Sequence, residues 1–211
     1  YRKAVNFLDI AVDLKLQKKP LDSNYYYLSK AFYYIKKSPE HLKKYTKETK
    51  NGVTAVVTAN IGEHWESRKN LDSANQYYLK SLDLIEGTNN KIIEGNVLTM
   101  VGNFFLRQKQ YHKAIGYFEK CIEISKSTND LYKLRDSYKG ISEAYKNLGN
   151  EIQFAKYSQD YIKIDDSIAA SEKKGIDNSV NKIINEEKTV QEKSKSKLYW
   201  LIFGILVAAV L

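Results

Sequence analysis

Small and aromatic residues recur along this chain at helical steps. Gly62 is followed three positions on by Trp65, nine further by Ala74 and four further by Tyr78. Sliding the sequence by 40 residues repeats that order: Gly62 falls on Gly102, Trp65 on Phe105, Ala74 on Ala114, Tyr77 on Tyr117 and Tyr78 on Phe118. The connector repeats too, Thr88-Asn89 matching Thr128-Asn129, and a second slide puts Gly102 on Ser142 and Phe105 on Tyr145. Steps of three and four within a unit predict amphipathic helices, and one offset held across units predicts a repeat array. Each unit reads as two antiparallel helices. Gly62 and Gly102 let them approach, Trp65, Phe105 and Tyr145 fill the space alongside, and Ala74 and Ala114 mark the crossing. Tyr78 and Phe118 are expected to pack on the next hairpin, with Ser81 and Cys121 as small core positions.

This pattern resembles the tetratricopeptide repeat, a helical hairpin of about 34 residues. The resemblance implies an all-α superhelix of about four repeats plus a leading half repeat over residues 1–168. Leu28, Ser29 and Phe32 align with Ile141, Ser142 and Tyr145, which predicts a first helix there. Ser38-Pro39 reads as the N-cap and first-turn proline of the following second helix. Ala4, Leu8 and Ala11 read as the second helix of the leading half repeat. In the last unit Phe154 stands at the alanine position and Ser158 at the aromatic one, as suits a terminal cap. Glu86 and Lys126 replace the proline that usually closes this repeat.

In such arrays the first helices line a concave groove that holds an extended peptide or protein segment. The register predicts that Tyr26, Lys30, Tyr33 and Tyr34 line it first, then Glu63 and Glu66. Asn96, Thr99, Asn103 and Arg107 follow, and then Asp136, Lys139 and Glu143. Asn103 and Arg107 are expected to bond a peptide backbone or carboxylate, and Tyr33 and Tyr34 to supply flat apolar contact. The alternative is that these are solvated helix faces.

Composition narrows the possibilities. The chain has 211 residues with only 2 prolines and 10 glycines, which disfavours a sheet of many short strands. A single cysteine, Cys121, excludes a disulfide scaffold. The net charge of +9 is concentrated at the start, where residues 1–50 hold 12 Lys/Arg against 5 Asp/Glu. The basic helix expected over residues 38–50 invites a nucleic-acid reading through counterion release. Glu40 and Glu48 interrupt it, however, and no base-reading motif accompanies it, so a solvated face is preferred and no nucleic-acid partner is expected. His41, His64 and His112 stand without ligand-spaced partners, and the sequence carries no phosphate loop or nucleophile elbow. No catalytic residue, metal or cofactor is expected in this segment.

After Ser167 the texture changes. Residues 169–197 are charged, with Ile176, Val180, Ile183 and Val190 on a heptad seam whose later positions are Glu187, Ser194 and Lys197. A helical stalk is expected, able to pair weakly with a second copy as a homodimer or to stand as a single solvated helix. Residues 198–211 are an uncharged run that would span about 21 Å as a helix, against the ~30 Å of a bilayer core. With Tyr199 and Trp200 at its start and Lys193, Lys195 and Lys197 outside it, the run is expected to belong to a transmembrane helix that continues past Leu211. The order of array, stalk and apolar run is similar to the sensor halves of membrane-bound histidine kinases and helix-turn-helix regulators of the Bacteroidetes. The positive charge beside the run favours a cytoplasmic array, whereas that similarity implies an extracytoplasmic, periplasmic array, the placement preferred here, in a single-pass signalling protein whose output domain lies beyond residue 211. A membrane-anchored scaffold without output is the alternative.

Overall fold

The structure, a computed structural model, describes residues 3, 6, 9–11, 21–37, 47–86 and 88–210. Among these residues every regular element is a helix. The helices are α1 (Leu21–Lys37), α2 (Lys47–Ser67), α3 (Leu71–Ile85), α4 (Lys91–Arg107), α5 (Tyr111–Thr128), α6 (Leu131–Asn147) and α7 (Glu151–Val210). The chain divides into two units, Tyr1–Ile164 and Asp165–Leu211.

In the first unit the expected hairpins are α2–α3, α4–α5 and α6 with the start of α7. Their turns share one construction. Asn70, Gln110 and Asn150 donate their backbone N–H to the carbonyls of Trp65, Phe105 and Tyr145 at 2.9–3.0 Å. The preceding residues, Lys69, Lys109 and Gly149, donate to Glu66, Leu106 and Lys146. This pair of bonds is a Schellman cap, which needs a left-handed residue at its centre. The φ values there are 60° at Lys69, 58° at Lys109 and 70° at Gly149. Only the last turn uses glycine; the other two hold a lysine in a conformation that disfavours any Cβ. The next helix then starts from a side-chain cap in two of the three cases. Asn70 Oδ1 accepts from Ser73 N–H, and Asn150 Oδ1 from Gln153 N–H, each at 3.1 Å. Gln110 makes no such bond.

The repeat positions differ in burial and in what they pack against. Ala74, Ala114, Phe118, Ser81 and Cys121 are fully buried, Tyr78 nearly so, and all but Ser81 and Cys121 join one core with Phe105. A Cβ on Gly62 would meet the Ala74 carbonyl oxygen and the Tyr78 ring at 3.2 Å. Gly102 is tighter, with the Phe118 ring at 2.8 Å. Phe105 stacks on Tyr117 at 5.4 Å, and Tyr145 on Tyr157 at 5.6 Å. Trp65 packs against both this core and the one beneath α1.

The first hairpin departs from the expected register. The alignment of Leu28, Ser29 and Phe32 predicts α1 as a first helix, but its burial is that of a second helix. Leu28, Ala31 and Ile35 are buried in α1 as Tyr78, Ser81 and Ile85 are in α3, 50 residues on. Leu21-Asp22-Ser23 and Leu71-Asp72-Ser73 agree at that same offset of 50, which a fixed slide of 40 passes over. Residues 9–11 are helical, and Ala11 is buried in the core of Leu28, Ala31 and Ile35. The expected cap at Ser38-Pro39 and the positions Ala4 and Leu8 lie outside the described residues. Lys47 and Lys50, expected in a separate basic helix, instead belong to the first turn of α2.

In the second unit the remainder of α7 is helical, and residues 171–197 are exposed throughout. Ile176, Val180, Ile183 and Val190 all face solvent, joined by Ile184. Among the described residues no helix is long and apolar enough to cross a membrane. The apolar run is helical through Val210.

Candidate functional site

The predicted groove residues differ in exposure and pairing from helix to helix. Those on α1 sit on the wrong helix. Tyr26, Lys30, Tyr33 and Lys37 form a stripe opposite the buried Leu28, Ala31 and Ile35, and the first three correspond to the exposed Gln76, Lys80 and Asp83 of α3 rather than to a first helix. Tyr26 and Tyr33 are 55% and 48% exposed, and lysine ammonium groups cover their rings. Lys30 lies 5.4 Å from the Tyr26 centroid and Lys37 4.8 Å from that of Tyr33. A hydrogen bond with Tyr33 raises the Lys37 pKa. Tyr34 is half-buried, edge-on to Tyr33, with Lys3 over its ring.

The middle of the array is largely committed to itself. Arg107, expected to take a peptide carboxylate, already holds one. Its Nε and Nη2 donate to the two carboxylate oxygens of Glu66 at 2.6 and 2.7 Å. This planar pair ties α4 to α2, and the Tyr78 hydroxyl joins it by donating to Glu66 at 3.2 Å. The Glu66 hydrogen bonds raise the Arg107 pKa, while burial, reinforced by the Glu66 charge, pushes the Tyr78 phenol far above its usual range. Thr99 is also a core residue. It is 6% exposed, its hydroxyl bonds the Gly95 carbonyl at 2.8 Å, and it lies 3.2 Å from the Cys121 sulfur. Glu63, Asn96 and Asn103 remain half-buried.

At α6 the first-helix face opens. Lys139 and Glu143 are exposed; Asp136 is half-buried and paired with its neighbour Arg135 at 3.2 Å. Between α6 and the start of α7 runs a cleft of about 490 Å³. Lys139, Ser142, Glu143, Lys146 and Asn147 form one wall, with Phe154, Ser158 and Tyr161 on the other. The Ser142 and Ser158 hydroxyls bond at 2.6 Å. Lys139 and Glu143 were legible from the register; Phe154, Ser158 and Tyr161 were not read as a wall. Their signal was the departure of Phe154 and Ser158 from the repeat pattern.

Comparison with known proteins bears on the fold and the family. No curated protein matches the chain. Among solved structures it is similar to aspartyl phosphate phosphatase F from Bacillus subtilis, with a TM-score of 0.68 and 18% identity. The likeness covers 80% of this chain but 41% of that one, so the chain spans less than half the phosphatase's length. At this identity the shared feature is the fold, a tetratricopeptide-like helical repeat. Neither this likeness nor the family match points to the histidine-kinase sensors. The family model of the soluble NSF attachment protein, SNAP, matches residues 27–189, crossing the expected array boundary at 168. That match takes in well over half of the sequence, and the chain belongs to the soluble NSF attachment protein family.

Proposed function

We propose that the array is a non-catalytic protein-binding module that holds a peptide or protein segment against its first helices near α6. The observation that carries this reading is the change in exposure along equivalent positions. Thr99 is buried in α4, whereas its counterpart Lys139 in α6 is exposed beside an open cleft. Membership of a family named for attachment supports it, as does the helical-repeat architecture, which favours extended binding surfaces. A selection of displayed random peptides on the chain tests it. Enriched peptides should bind wild type at least tenfold more tightly than the Asn103→Ala/Lys139→Ala/Glu143→Ala variant by fluorescence anisotropy. Equal affinities would remove this face from the reading.

The proposal extends to a membrane: residues 198–211 attach the module, and the array belongs to the sensing, extracytoplasmic half of a signalling protein. The order of array, exposed helix and apolar run supports attachment; the extracytoplasmic placement rests on that layout alone, against the cytoplasmic side that Lys193, Lys195 and Lys197 favour by the positive-inside rule. Flotation with liposomes should recover the full chain and lose a variant ending at Lys197. Equal recovery would refute attachment through this run.

A further inference from the structure

The second helix of each middle hairpin sends an aromatic ring beneath the glycine of its first helix. Tyr78 lies under Gly62, and Phe118 under Gly102. Each ring also receives the first helix of the next hairpin: Tyr78 meets Phe104 at 4.7 Å, and Phe118 lies against Gly140. In the last hairpin both partners change. Ser142 stands for the glycine and Ser158 for the ring, and their hydroxyls satisfy each other at 2.6 Å. Two small side chains thus replace one ring, and the 490 Å³ cleft opens on the side where the earlier hairpins accept a helix.

The cleft also differs chemically from the covered faces. Thr99 and Leu106 of α4 are 6% and 9% exposed, while their counterparts Lys139 and Lys146 are exposed. Lys139 and Lys146 are two helical turns apart, about 10.5 Å along α6, and bracket Ser142. Phe154 and Tyr161 give the opposite wall aromatic surface, with the Lys146 ammonium 6.0 Å from the Phe154 ring. Glu143 and the serine hydroxyls supply acceptors for an indole N–H or a phenol O–H.

We propose that this cleft receives an aromatic side chain from a partner helix lying across α6 and α7, with carboxylates about one turn either side of the ring meeting Lys139 and Lys146. The missing ring sets the shape of the occupant, the two helices set its course, and the lysines set its charge. An aromatic residue here gains large apolar contact while keeping its polar atom bonded. The inference rests on the protein-binding reading and names the partner's chemistry.

The probe is a labelled, N-acetylated helical peptide with a central tryptophan and glutamates four residues before and after it, titrated into the full chain and followed by anisotropy. Saturable binding is expected, falling at least tenfold when the peptide's tryptophan is alanine, and likewise with Lys139→Ala/Lys146→Ala. Ser158→Phe refills the cleft in the manner of Phe118. It should abolish binding while leaving the melting temperature equal or higher, which separates occupancy from misfolding. Binding untouched by Ser158→Phe, or equal affinity for the alanine peptide, would overturn the proposal. If display-selected peptides bind and this probe does not, the occupant named here is wrong and the module reading stands; if neither binds, both fall. Self-association without peptide, abolished by Ser158→Phe, would assign the cleft to a second copy and overturn the separate partner.

Discussion

Gly140→Ala places one methyl group where α6 meets the Phe118 ring of α5. Gly140 lies on α6 with the Phe118 ring against it, so an added Cβ would fall into that ring. The ring has nowhere to retreat, because a Cβ built on Gly102 across it would already stand 2.8–3.0 Å from its atoms. In an open helix, glycine to alanine stabilises by about 1 kcal/mol. Inserting a methyl into a filled core costs roughly 1–3 kcal/mol, and with Phe118 fully buried the upper part of that range applies. The net expectation is a loss of about 1–2 kcal/mol, or a fall in Tm of roughly 2–8 °C for a protein of this size. Thermal melts by circular dichroism at 222 nm measure it, with Gly116→Ala as the control. Gly116 is helical, and among the described residues nothing beyond its own helix backbone and chain neighbours comes within 4 Å of its Cβ position, so this change should raise Tm by about 2–4 °C. Gly140→Ala/Phe118→Leu should cost less than the sum of the two single changes, since each relieves the other's strain. If Gly140→Ala melts at or above wild type, the tight inter-hairpin contact is wrong.

Arg107→Ala should destabilise by about 1–2 kcal/mol, because it strips two charge-assisted bonds from the mostly buried Glu66 while removing a half-exposed cation; urea melts showing no change would mean the pair contributes nothing. Lys109→Gly should stabilise by about 0.5–1 kcal/mol, the left-handed penalty relieved less the entropy of glycine, and a lower Tm would contradict the cap geometry. Ser137 is fully buried, and its hydroxyl has no hydrogen-bond partner among the described residues, so Ser137→Ala should gain about 1 kcal/mol by chemical denaturation, whereas a loss would reveal a hidden partner. Tyr78 titrates higher in the folded than in the unfolded state, so its stabilising effect is complete below the unfolded value near 10 and is lost as pH rises toward the folded one. Tyr78→Phe should therefore flatten the alkaline fall in stability above pH ~10; an unchanged slope would discount the Tyr78 contribution.

Some of this protein was legible residue by residue. The offset of 40 found hairpins two to four, because glycine beside an aromatic, and alanine at a helix crossing, are local steric requirements that show as spacing. The same logic marked Phe154 and Ser158 as departures. The first hairpin escaped it because the repeat length changes there, and periodicity alone cannot distinguish a first helix from a second when both carry apolar stripes. Burial of Leu28, Ala31 and Ile35 settles that point. Arg107 and Thr99 lie beyond reach of sequence for another reason. Each has a partner far along the chain, Glu66 at 41 residues and Cys121 at 22. A side chain's availability depends on what the neighbouring helix presents to it. For hairpins two to four, residue spacing determined which stretches make helices and which small and aromatic positions lie between them. Only the tertiary structure decided which polar groups are satisfied internally and that a cleft opens beside the Ser142–Ser158 pair, because burial and pairing are properties of assembled helices.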